Sequence, residues 1–260
     1  MTMVQKVRMK RLNSLGAEHL IFPDWSVPQK VKCLSTTRQG GISHGSFSSL
    51  NLGYHVGDDP DAVSGNRNLL KEMIGGEPIW LNQVHGIRVI DAGQFIGMNS
   101  PPDADAAFTR RKGVVCTVMT ADCLPVLLCG ESGSVVAAAH AGWRGLLAGV
   151  LEATVTAMGI PGQQLMAWLG PAIGPQAFEV GDEVREAFCN VSSEADAAFQ
   201  ATSHGKWKAD IYCLARQRLN QQGIERILGG NYCTVNETER FFSYRRDGQT
   251  GRMASMIWLA

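Results

Sequence analysis

Eight short runs rich in Val, Ile and Leu punctuate a turn-rich chain, at about residues 31–37, 79–84, 87–91, 114–119, 125–129, 134–139, 165–169 and 254–259, and read as β-strands. Several are apolar on both sides, as in VVAAA, which predicts sheets covered on both faces. A period of 3.6 replaces the strand pattern in LLAGVLEATVTAM, where Leu147, Val150, Leu151, Thr154 and Met158 share one face. A second helix is predicted after Asp210, with Ile211, Leu214, Ala215 and Leu219 on one stripe and Gly223 as its stop. A third runs from Asp61 to about Ile74, before the Gly75-Gly76 break.

Hairpin-like strand pairs mixed with isolated helices predict an α+β fold with mixed sheets rather than a regular βαβ repeat. No repeat, low-complexity tract or linker divides the chain, so one large domain is expected over residues 23–260, preceded by a basic, polar N-terminal extension of poor order at 1–22. The chain has 260 residues, long enough for a large core. Lys+Arg 24 balance Asp+Glu 24, leaving no global field to hold nucleic acid or anionic lipid, and a small-molecule partner fits better. No apolar run reaches the roughly 20 residues of a membrane span, and no secretory leader pattern opens the chain. Seven cysteines with no Cys-x-x-Cys pair read as reduced thiols, which predicts a cytoplasmic protein.

Three metal-ligand residues stand at strand ends beside turn formers: His85 in LNQVHG, Cys123 in MTADCLPV and His140 in AAAHAGWRG. Their wide separation excludes a zinc finger, whose close-set ligands organise a small fold, and suits a site built on a larger scaffold. One thiolate and two imidazoles suit zinc, with copper as a second candidate, and three protein ligands leave a tetrahedral position open for catalysis. Asp122 is a candidate to accept the second N–H of a ligand histidine or to shuttle a proton, although beside a free thiol it would raise the thiol pKa. In GWRG, two glycines, a helix start and Arg144 predict a phosphate or carboxylate cradle. Further polar residues in turns are pocket candidates or simple turn caps: Arg38, Asn51, Asn66, Arg67, Gln83, Asp103 and Asp105. SYRRD at 243 to 247 reads equally well as a basic surface loop.

The stretches STTRQGG, SLNLG, NQVHG, DADA, MTADCLPV, HAGWRG, WLGPAIGP, FEVG and FFSYRRD closely resemble the YfiH-like family, whose members carry the labels laccase-domain polyphenol oxidase, peptidoglycan editing factor and purine nucleoside phosphorylase. The resemblance extends from about residue 33 to the C-terminus. It implies a single domain with two mixed β-sheets layered between helices, and a metal site, usually zinc, on His85, Cys123 and His140. It also implies phosphorolysis of adenosine, inosine or guanosine, and of methylthioadenosine, to base and ribose 1-phosphate, with deamination of adenosine as a companion activity. Arg38, Arg67, Gln83 and Arg144 are the expected contacts to substrate or phosphate, and Asp122, Cys123 and His140 the expected catalytic groups.

The three labels make different chemical demands. A multicopper oxidase holds its copper cluster almost wholly with imidazoles, and with two of the chain's six histidines in the one evident site too few remain. The His-x-Glu and Pro-Cys-x-x-Cys signature of cytidine-type deaminases is missing, so deamination here would be an unrelated solution. A Cys-His hydrolase cutting an amide in a cell-wall precursor would use Cys123 and His140 as nucleophile and base. The expectation is therefore a zinc-dependent purine nucleoside enzyme, monomer or small homo-oligomer, with the hydrolase as the alternative and phenol oxidation as the weakest reading.

Overall fold

The computed structural model describes residues 15–98, 100–203 and 205–260. Two mixed sheets face one another. The first has five strands in the order β1 (Leu20–Ile21), β2 (Val31–Thr36), β14 (Met253–Leu259), β6 (Val114–Thr120) and β3 (Glu77–Ile79), antiparallel except for β3 against β6. The second has six strands in the order β13 (Arg226–Gly229), β9 (Leu165–Leu169), β7 (Leu124–Gly130), β8 (Val136–Ala141), β5 (Ala106–Thr109) and β4 (Val89–Asp91), with parallel pairs at its two edges. A small sheet of β10 (Glu179–Val180), β12 (Trp207–Ala209) and β11 (Phe199–Ala201) stands apart.

The period-2 alternation of side chains sorts these strands into three apolar layers. Leu127, Cys129, Val136 and Ala138 of the second sheet meet Val114, Cys116, Val118 and Ile257 of the first, forming the core between the sheets. The opposite parity, Leu124, Val126, Leu128, Ala137 and Ala139, packs against α2 (Trp143–Ala148), α3 (Val150–Met158), α4 (Asp182–Val191) and α5 (Ile211–Gln221). On the far side, Val115, Met119, Met256 and Trp258 pack under Leu70 and Ile74 of α1 (Pro60–Ile74). The layering is helix, sheet, sheet, helix, as expected.

Local chemistry sets the element ends. Helix α1 starts where the Asp59 carboxylate accepts from Asp61 N–H with Pro60 in the first turn, and stops at Gly75 in the left-handed region. The predicted helix through LLAGVLEATVTAM is two helices, because Gly149 at φ +102° ends α2 before α3 begins. The strand expected at 79–84 ends at Ile79: Gln83 leaves the sheet, yet its side-chain amide imitates a strand neighbour, donating to Met119 C=O at 2.8 Å and accepting from Met119 N–H at 2.7 Å. Elements missed from the pattern are β1, β5, β13, the small sheet, α4 and the short helix Tyr244–Asp247. Helix α4 buries only Val184 and Phe188 and so shows little periodicity. Leu15, Leu20 and Ile21 are buried and β1 pairs with β2, so the folded unit takes in part of the stretch assigned to an N-terminal extension. The first 14 residues of that stretch lie outside the described residues. Among the described residues no helix is long and apolar enough to cross a membrane.

Candidate metal centre

The sheet register builds the centre. Ala106 lies opposite Ala139, so Asp105 and His140 are cross-strand neighbours on the face between the two sheets. His140 N–H donates to Asp105 C=O at 2.7 Å, and the His140 Nδ1 lies 2.8 Å from Asp105 Oδ1. Both residues are buried, His140 at 3% exposure and Asp105 at 0%. The same carboxylate accepts three successive backbone N–H groups, from Val84 at 3.2 Å, His85 at 2.9 Å and Gly86 at 2.7 Å. His85 takes a left-handed backbone, φ +59°, which turns the chain so that these donors converge on one anion. Asp105 therefore fixes both histidines, one through its ring and one through its backbone.

Cys123 sits between β6 and β7, next to Leu124, which pairs with Ala141. This register sets Gly142 beside the thiol, where a Cβ would lie 3.0 Å from Cys123 Sγ and 2.9 Å from His85 Cδ2. Only glycine leaves both ligands their space. The His85 and His140 rings meet edge to face with centroids 4.8 Å apart, and Cys123 Sγ lies 3.8 Å from His85 Nε2. One ligand atom from each of His85, Cys123 and His140 falls within 4.8 Å of the others. Around a tetrahedral zinc, with bonds near 2.3 Å to sulfur and 2.0–2.1 Å to nitrogen, S and N stand about 3.6 Å apart. The donor set and spacing thus fit a metal.

Charge is balanced inside this cluster. Burial raises the Cys123 thiol, but the neighbouring His140 and His85 imidazoles outweigh it and bring the pKa down to about 6. Burial lowers His140, but the Cys123 thiolate and the Asp105 carboxylate carry it up to about 9. Burial pushes Asp105 up, yet the bonds from His140 and from the Gly86 and Val84 N–H groups hold it below the usual carboxylate range.

The cluster opens into a cavity of about 240 Å³ with Trp143, Ile173, Phe178, Ile211 and Tyr244 as apolar walls. Arg144, exposed and stacked 4.4 Å over Trp143, and Arg245, whose Nη1 donates to Glu179 C=O, add two guanidinium groups. The sequence-predicted residues divide accordingly. His85, Cys123, His140, Asp122 and Arg144 gather here. Asp122 does not meet a ligand histidine: Oδ1 accepts from Thr234 Oγ1 at 2.5 Å and Oδ2 from Arg245 N–H at 2.6 Å. That carboxylate ties the start of α6 (Tyr244–Asp247) to the strand end carrying Cys123.

Three expected contacts stand elsewhere. Arg38 donates to Ser48 C=O and Thr238 C=O beside a separate polar cavity of about 250 Å³. Arg67 stacks on Trp80 at 3.8 Å and Tyr54 at 4.5 Å in a cavity of about 420 Å³. Gln83 is committed to Met119. Buried Asn51 and Asn66 are turn braces, Asn66 holding Ile42 N–H, Ser43 Oγ and the Ser49 and Asn51 carbonyls. Asp103 accepts from Asn82 Nδ2. Among the turn residues, Asp105 is the one whose role the sequence understated, and the walls Phe178, Tyr244 and Arg245 were present only as FEVG and SYRRD.

Residues 32–260 match the family model described as multi-copper polyphenol oxidoreductase laccase. YfiH of Escherichia coli, named a purine nucleoside phosphorylase, is 55% identical over 244 residues, covering 92% of this chain and 98% of its own. A Pseudomonas aeruginosa protein of the same functional name is 54% identical over 240 residues, with the same coverage. A solved Neisseria meningitidis structure is 52% identical and covers 93% of this chain and 99% of its own, with a TM-score of 0.91. The structure of Bacillus licheniformis YfiH, titled a hypothetical protein, is 31% identical over 88% of this chain and 93% of its own, with a TM-score of 0.82. By sequence and by fold alike, the chain belongs to the laccase-domain family that includes YfiH.

Proposed function

We propose that the protein is a zinc-dependent purine nucleoside phosphorylase acting on adenosine, inosine, guanosine and methylthioadenosine, with adenosine deamination as a second activity. The observation that carries this reading is a metal-ligand trio opening into a pocket with flat aromatic walls and two guanidinium groups. Relatives named purine nucleoside phosphorylase support it. Trp143, Phe178 and Tyr244 offer apolar area to a purine ring, and Arg144 and Arg245 offer charge to anionic or polar substituents. Bound to His85, Cys123 and His140, zinc would supply Lewis acidity at an open position beside these walls. The protein's own part is orientation: Asp105 fixes the His140 tautomer with Nε2 turned inward, and Asp122 holds the Tyr244–Arg245 wall in place.

Zinc is favoured over copper by the single trio. Among the described residues one such group occurs, whereas multicopper chemistry needs a second, imidazole-rich cluster. The low thiol pKa of Cys123 supports a second reading, a Cys-His hydrolase acting on a cell-wall precursor. Two imidazoles converging on the thiol favour the metal, since a nucleophile needs one base. The seven unpaired cysteines fit the reducing cytoplasm.

The deciding experiment is metal analysis joined to a phosphate-dependence assay. About one zinc per chain and release of purine base only with phosphate present are expected. His140→Ala and Cys123→Ala should abolish both. Full activity in zinc-free protein, stopped by a thiol-alkylating reagent, would establish the hydrolase instead.

A further inference from the structure

Beside the Arg67 cavity, a cluster of basic side chains has no salt-bridge partner among the described residues. Arg67, Arg252 and His55 gather around the segment Leu52–Gly53–Tyr54–His55. The Arg67 Nε donates to Leu52 C=O at 2.9 Å, and its guanidinium lies over the Tyr54 ring. Leu52 N–H donates to Arg252 C=O, and a Cβ on Gly53 would lie 2.9 Å from Arg252 Cγ and 3.4 Å from His55 Cε1. Neither arginine forms a salt bridge among the described residues. Arg252 uses Nη1 on the Thr250 and Gly251 carbonyls, leaving Nε and Nη2 without a hydrogen bond there, and Arg67 leaves Nη1. The carboxylate adjoining this segment, Asp58, is taken by Ser43 and Asn51.

Half-burial strips water from the two guanidinium groups, and both charges oppose a proton on the neighbouring imidazole. All three groups respond in the expected direction: burial lowers Arg67 to about 10 and lowers Arg252, and burial followed by the charges of Arg252 and Arg67 lowers His55. The cluster also adjoins the metal centre. Arg252 lies 6.0 Å over the ring of Tyr244, a wall of the metal pocket, and the charges of Cys123 and Asp122 act on its guanidinium.

We propose that His55, Arg67 and Arg252 form the anion subsite that takes inorganic phosphate, beside the Tyr244 wall of the metal pocket. That the anion is the co-substrate rests on the phosphorylase reading; that an anion binds does not. In the reaction, a phosphate oxygen forms a bond to C1′ of the ribose as the C1′–N9 bond breaks. The electron pair leaves with the base, and the proton of hydrogen phosphate ends on it, giving base and ribose 1-phosphate. Arg252, the member of the subsite that lies over the Tyr244 ring, is the residue placed to orient the attacking anion.

The test uses the zinc-loaded protein, inorganic phosphate as the probe, and Arg252→Gln and His55→Gln, with Arg226→Gln removing a charge that pairs with Glu131 at the sheet edge. Calorimetric titration gives phosphate affinity directly, steady-state rates give KM for phosphate and for nucleoside, and melting curves verify folding. Loss of a charge-assisted contact predicts about tenfold or more weaker phosphate binding and higher phosphate KM in Arg252→Gln. A smaller change of the same sign is expected in His55→Gln, with nucleoside KM little changed and Arg226→Gln like wild type. Phosphate-dependent turnover with unchanged phosphate KM in both variants would overturn the inference and leave the phosphorylase reading standing. Phosphate binding lost in Arg252→Gln, with no base released by any form, would support the subsite and refute the phosphorylase reading.

Discussion

Asp105→Asn is the sharpest single perturbation of the metal centre. The carboxylate accepts four hydrogen bonds: His85 N–H and the His140 ring at Oδ1, Val84 and Gly86 N–H at Oδ2. An amide keeps one acceptor oxygen. With that oxygen toward Val84 and Gly86, its NH₂ confronts His85 N–H, and His140 must switch tautomer, placing a proton on the nitrogen that faces the thiol. With the oxygen toward His140, the NH₂ opposes Val84 and Gly86 instead. Either way two charge-assisted bonds are lost, at about 1.5–3 kcal/mol each, or about 3–6 kcal/mol in total. That is a large part of the roughly 5–15 kcal/mol that holds a typical domain. Zinc affinity should fall by about 10–100-fold, as for loss of a carboxylate behind a ligand histidine. The pH dependence follows from the depressed pKa: the wild-type contribution is present above the unfolded carboxyl value of about 3.9 and is lost as pH falls through the folded value, a loss the variant cannot show. Chelator competition and thermal melts of zinc-loaded and zinc-free protein measure both effects. Wild-type zinc affinity in a folded Asp105→Asn protein would refute the assignment of His140 orientation to Asp105.

Gly142→Ala has no backbone cost, because Gly142 is at φ −62°, but its Cβ would press on His85 and Cys123; a stability loss of about 1–3 kcal/mol with reduced zinc content is expected, read by melting and metal analysis. Asp122→Asn should cost about 1–3 kcal/mol by releasing the Arg245 N–H, and should raise nucleoside KM while zinc content holds; hydrogen exchange at 243–247 reads the loosening. In zinc-free protein Cys123 should be alkylated fastest among the thiols, at a rate level above pH of about 6 and falling below it, while Cys33, raised by burial to about 11, stays inert near neutrality; mass spectrometry of the labelled peptides verifies the order.

The strand pattern and the three metal-ligand residues were legible because each leaves a local trace: period-2 runs for the inner strands, and a His or Cys beside turn formers at their ends. The partner of His140 left none. Asp105 reaches it only through the register of β5 on β8, which pairs residues far apart in sequence and is set by packing of alanines on both faces. Asp122 stood beside Cys123 in sequence and so drew the role of histidine partner, but at φ +96° its carboxylate is directed to Thr234 and Arg245. Arg67 does line a cavity, but its two aromatic faces, like the Met119 backbone that holds Gln83, are contacts that sequence does not display.

The charge count of the cluster sets what a bound metal ion would have to balance. Asp105 and Cys123 bring two negative charges, and a divalent ion between neutral imidazoles cancels both. Without the ion, His140, raised to about 9, carries a proton at neutral pH and offsets part of the same charge. A divalent ion such as zinc, if held there, would displace that proton, because a ligand imidazole is neutral. The sign of the shifts sets the pH window: about one proton is released between pH of about 6 and 9, fewer above it as His140 is already neutral, and more below it as the thiol is protonated too. Zinc titrations at pH 7.5 in buffers of different ionisation enthalpy give the count directly. Release near zero at that pH would mean that His140 is neutral in the metal-free site, and that the Asp105–His140–Cys123 chain does not hold charge in the way its geometry implies.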